Sequence, residues 1–135
     1  MVQQNAAVPW WVYLAVLLGI FLSAAGAVIA MARPAMLVGP DAPIGAAAHI
    51  FAGYFAARSL VLGGFLAVLV ALRARRALGQ LLAIVGFIQL VDGVIDCIEG
   101  RWPIAPGVAI LGIVFLLSAA RLVGHAFWSR DAWAD

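Results

Sequence analysis

Residues 86–100 read GFIQLVDGVIDCIEG, and this stretch decides the fold. It is apolar enough to cross a membrane, yet it holds Asp92, Asp96 and Glu99, half of the six acids in the chain. Helical geometry puts residues three and four apart on one face. Gln89, Asp92, Asp96 and Glu99 have that spacing and form a single polar stripe, flanked by Gly86 and Gly93. The opposite face, with Leu82, Val85, Leu90 and Val94, is apolar and suits lipid or apolar packing. The stretch therefore reads as the second half of a membrane helix with one wet face.

The rest of the chain fits that reading. Of its 135 residues, 67% are hydrophobic and 10% charged, with a mean hydropathy of +1.13. Apolar runs of about 20 residues match the thickness of a bilayer core. Four such spans are expected, at about 10–32, 45–72, 77–98 and 104–127. Backbone polar groups must be satisfied internally in lipid, so open β structure is excluded. The expected fold is all-α, an integral membrane four-helix bundle with antiparallel up-down-up-down order in one domain. The connection RPAMLVGPDAP (33–43) is rich in Pro and Gly and reads as a loop with a short interfacial piece. The N-terminus has no basic n-region, so the first span is expected to remain in the mature protein.

All eight basic residues are arginines, mostly at span ends, and nucleic acid is not an expected partner. Arg73, Arg75, Arg76, Arg121 and Arg130 fall on one side, against Arg33 and Arg101 on the other. The positive-inside rule makes the first side cytoplasmic, with both termini inside and the protein multi-pass in the inner membrane. Trp10, Trp11 and Trp128 then lie at the inner interface and Trp102 at the outer one. Cys97 is the single cysteine, so an internal disulfide is ruled out, and no metal-ligand spacing exists. Neither a metal nor a cofactor is expected.

Ionised groups at membrane depth normally face protein or water. Arg58, in GYFAARSLVLGG (53–64), is the other deep charge. In an antiparallel hairpin with its midpoint near residue 75, Arg58 matches Asp92, Tyr54 matches Asp96 and Phe51 matches Glu99. The expectation is an Arg58–Asp92 ion pair and a Tyr54–Asp96 hydrogen bond. Glu99 has Arg101 nearby; Asp96 has no such cation in this reading and becomes the candidate proton donor. A buried pair that only fixes helix register is the competing account. Gly19, Ser23, Gly26 and Ala30 form a small-residue stripe suited to close packing within the chain or between copies, a candidate homo-oligomer face. Gly63 and Gly64 read as close packing in span 2, with a hinge as the alternative, His49 as interfacial, His125 as solvated near the inner boundary, and Ser118 as the mid-span polar group of a helix that packs without chemistry.

The ARP…G exit from span 1 (Ala32, Arg33, Pro34, Gly39), AARSLVLGG (56–64) and GRWP (100–103) resemble small four-helix bacterial membrane proteins of the DoxX-like type. The resemblance covers most of the chain through short motifs. It implies a four-helix membrane bundle and carries no catalytic assignment.

Three functions stay open. The first is a binder of a lipophilic small molecule in a pocket between spans 2 and 3, with acid–base chemistry of an isomerase, cyclase or epoxide-opening kind. Asp96, Asp92, Arg58 and Tyr54 would act there, supported by Gln89, Glu99, Phe51 and Gly93. The second is a non-catalytic accessory or structural subunit. The third is a proton- or cation-coupled transporter working as an oligomer.

Overall fold

A computed structural model describes residues 8–38, 45–124 and 130. Among them there is no strand. The elements are α1 (Trp10–Ala32), α2 (Ala35–Val38), α3 (Ala46–Ala71), α4 (Arg75–Ile98) and α5 (Ala105–Val123). All but α2 are long and apolar enough to cross a membrane. The fold class is the expected all-α, four-helix membrane bundle. The chain divides into two compact units, one of Leu17–Val68 and one of Met1–Val16 with Leu69–Asp135.

In the Leu17–Val68 unit, α1 and α3 run antiparallel. Ala27 and Ala30 are buried with Ala52 and Ala56, and Leu37 of α2 and Phe55 close over them. The small-residue stripe of α1 is used here. A Cβ on Gly26 would sit 3.5 Å from the Phe55 ring, and one on Gly63 would sit 2.9 Å from the Ser23 Cβ. Ser23, Gly26 and Ala30 of the stripe are thus packed by α3 of the same chain. Gly64, next to Gly63, faces open space. The α1 exit follows from Pro34, which has no N–H to continue the helix. The single turn of α2 is the short piece expected in that connection.

In the other unit, α4 and α5 form an antiparallel hairpin whose seam repeats every seventh residue. Gly79, Gly86 and Gly93 line it on α4; Ala105, Gly112 and Ala119 line it on α5. All six are buried. Pairs equidistant from residue 99 meet: a Cβ on Gly79 would lie 3.2 Å from the Ala119 carbonyl, and one on Gly112 would lie 3.0 Å from the Gly86 carbonyl. A seven-residue repeat keeps one face toward its partner, and small residues let the backbones touch. Phe115 and Leu82 of the same two helices are fully buried. Ser118 is buried too, and its hydroxyl donates to the Val114 carbonyl at 2.8 Å, so its polarity is satisfied within the helix.

Two turns of the same design end α3 and α4. After α3, the Arg73 N–H donates to the Val70 carbonyl and the Ala74 N–H to the Leu69 carbonyl, both at 3.0 Å. After α4, the Gly100 N–H donates to the Cys97 carbonyl at 3.2 Å and the Arg101 N–H to the Asp96 carbonyl at 2.7 Å. This paired i→i−3 and i→i−5 pattern is the Schellman motif, whose left-handed residue is usually glycine. Gly100 meets that demand with φ 73°. Arg73 adopts φ 55°, which costs a residue with a Cβ roughly 1–2 kcal/mol. Changing Gly100 to Ala is expected to lower stability by about 1 kcal/mol. Thermal unfolding in detergent checks this, since a midpoint equal to the parent's contradicts the turn's dependence on glycine.

The tight turn at Arg73 explains one boundary. The third span was expected from Ala77, but α4 already begins at Arg75, because the connection from α3 takes only three residues. Helix α5 ends at Val123, where Gly124 takes φ 76° and its N–H caps the Ala120 carbonyl. The expected extension of span 4 to Phe127 passes into residues 125–129, which with His125 and Trp128 lie outside the described residues, as does Gly39.

Candidate functional site

The acidic stripe lies on α4 as expected, but its members sit in different surroundings. Asp96 is buried, Gln89 and Asp92 are half-buried, and Glu99 is exposed at the helix end. Gly93 is buried against Ala105 and Ala109 of α5. Asp96 follows Gly93 by three residues and shares its side of the helix, toward the turn into α5.

The cation that meets Asp96 is Arg101. Its Nη1 lies 3.2 Å from Asp96 Oδ1, with side-chain exposures of 38% for the arginine and 11% for the aspartate. Two expectations are corrected here. Glu99 was the acid assigned to Arg101, and Asp96 was the acid without a cation. The cap geometry reverses them. In a Schellman turn the residue after the left-handed glycine lies beside the residue five positions earlier, where an apolar contact is common. Here those two residues are Arg101 and Asp96, so an ion pair takes the place of that contact. Glu99 is the last residue before Gly100 and is exposed. The signal was present in DCIEGR (96–101): a glycine stop fixes which neighbours touch.

Arg101 has three jobs in this turn. Its N–H closes α4 on Asp96, its carbonyl accepts from Ile104 at 3.0 Å and Ala105 at 3.3 Å to start α5, and its guanidinium pairs with the Asp96 side chain. Asp96 therefore has a cation beside it that helical periodicity alone did not supply.

The α3 residues are placed as follows. Arg58 carries its guanidinium 5.6 Å from the centre of the Phe55 ring, within cation–π range. Tyr54 and Phe51 are about 70% exposed on α3. His49 is exposed as well, and Cys97 is a half-buried free thiol. Among the described residues no cluster of three His, Cys, Asp or Glu side chains could hold a metal ion.

No family model, curated protein or solved structure matches the chain. The DoxX-like resemblance therefore stands on its quoted motifs alone. What the residues themselves establish is a multi-pass, all-α membrane protein.

A cavity of about 630 Å³ lies at the other end of the α4–α5 hairpin. Val8, Tyr13, Leu69, Val70, Leu78 and Leu122 give it apolar walls, and Arg73 and Arg75 line it too. The sequence reading assigned this end to topology only. The turn at Arg73 is what brings its side chain to the cavity.

Proposed function

We propose that this protein is a non-catalytic accessory or structural membrane subunit, in which the acidic face of α4 serves architecture. The observation that carries the reading is the Asp96–Arg101 pair, built into the turn that joins α4 to α5. An acid neutralised by the capping arginine of its own helix is suited to fixing a turn. A proton donor must carry its proton beside a substrate, whereas a cation paired with a carboxyl favours the ionised form. The expected orientation, with both termini in the cytoplasm, belongs to this reading. The DoxX-like resemblance adds a bundle fold and no activity.

Asp96→Asn tests the proposal by thermal unfolding in mild detergent. The isostere keeps the shape and removes the charge-assisted contact, so stability is expected to fall by about 1 kcal/mol. Active-site residues behave oppositely, because their replacement commonly leaves stability unchanged or raises it. A D96N variant that melts at or above the parent temperature would sink the structural reading and restore the catalytic one.

A further inference from the structure

We infer that the cavity at the arginine end of the α4–α5 hairpin is a binding site for one anionic phospholipid. Its shape and chemistry match an amphiphile. Leu78 and Leu122 are buried at its wall, Val8, Leu69 and Val70 extend the apolar surface, and Arg73, Arg75 and Tyr13 supply polar groups. Arginine recognises phosphate through a planar fork of donors. Basic pockets between membrane helices are suited to acidic head groups. The site lies in the headgroup region by its position at helix ends, where acyl chains can run down the apolar walls.

A second, independent observation is the backbone of Arg73. The Schellman turn at this point calls for glycine, and the chain meets the same demand with glycine at Gly100 and Gly124. At Arg73 it keeps a large cationic side chain in the left-handed region, φ 55°. Strain of that kind is retained where a side chain is wanted at a fixed place. The consequence of the retained residue is an arginine in the cavity lining.

Arg73→Gly separates binding from folding, because glycine relieves the turn. The purified full chain in neutral detergent is titrated with phosphatidylglycerol, phosphatidylcholine or inorganic phosphate, and bound lipid is counted by native mass spectrometry. The parent is expected to hold one phosphatidylglycerol per chain and to bind phosphatidylcholine at least ten-fold more weakly. R73G is expected to melt at a higher temperature than the parent and to lose about ten-fold or more in phosphatidylglycerol affinity. Arg73→Lys, which keeps the charge, should retain part of that affinity. Equal phosphatidylglycerol binding by R73G and the parent overturns the inference. So does equal binding of the two lipids by the parent. If inorganic phosphate competes fully with the lipid at millimolar concentration, the site is for a soluble anion, and the phospholipid assignment falls.

Discussion

Replacing Arg101 with Met is expected to destabilise the protein by about 2 kcal/mol. The change leaves Asp96, whose side chain is 11% exposed, without its counter-charge. Breaking a fully buried pair from one side costs roughly 3–5 kcal/mol, because the remaining charge is desolvated and unpaired. The 38% exposure of Arg101 lowers that figure, since water already screens part of the attraction. Methionine preserves the apolar stem of the side chain, so the loss reports the charge and not the packing. The Arg101 N–H and carbonyl remain, so the cap itself survives. Asp96→Leu combined with Arg101→Met should then recover most of the loss, as apolar replacement of both members of a buried pair often does. A thermal or denaturant cycle on the four proteins measures the coupling. Additive single effects would show that the two side chains act independently, contrary to the 3.2 Å contact.

The second large effect is expected at Gly112. Valine there places a Cβ 3.0 Å from the Gly86 carbonyl and 3.1 Å from a Leu90 methyl. The leucine could rotate, but the carbonyl belongs to the α4 backbone and cannot. The helices must separate, and every contact along the seven-residue seam weakens together. Overpacking of this kind costs typically about 1–3 kcal/mol, and the upper end applies where the obstacle is backbone. Membrane helices feel this strongly, because lipid is as apolar as their side chains and packing itself drives association. Gly107→Ala is the matched control on the same helix, since nothing lies within 4 Å of its added Cβ. It should be neutral or stabilising by up to about 1 kcal/mol, the ordinary helical advantage of alanine. Equal behaviour of the two variants in thermal unfolding would contradict the seam.

Much of this architecture is readable from residues. Runs of apolar side chains mark the four helices, because a backbone in lipid must satisfy its own hydrogen bonds. Pro34 ends α1 and Gly100 ends α4 for local conformational reasons. The seam was legible too, since Gly79, Gly86 and Gly93 repeat at the same interval as Ala105, Gly112 and Ala119. It becomes meaningful when the two repeats are folded about residue 99. The candidate site was harder. Helical periodicity groups Gln89, Asp92, Asp96 and Glu99 correctly, but it is blind to the chain reversal at Gly100. That reversal, and not the stripe, chooses the acid that meets Arg101. At the opposite end, Arg73 gave no sign of its left-handed backbone, because residue type favours glycine there and the turn overrides it.

By itself the sequence determined the membrane class, the number of spans, the turn at Gly100 and the face on which the acids lie. All of these follow from local propensity and from the cost of unsatisfied backbone groups. Only the tertiary structure decided that the Gly26 and Ala30 face of α1 is covered by Ala52, Phe55 and Ala56, that Gly63 and not Gly64 is packed, and that Arg73 lines a cavity with Leu78 and Leu122. The reason is that close packing belongs to two surfaces at once. A stripe of small residues fixes how near a partner can come, and the partner's own shape fixes which one does.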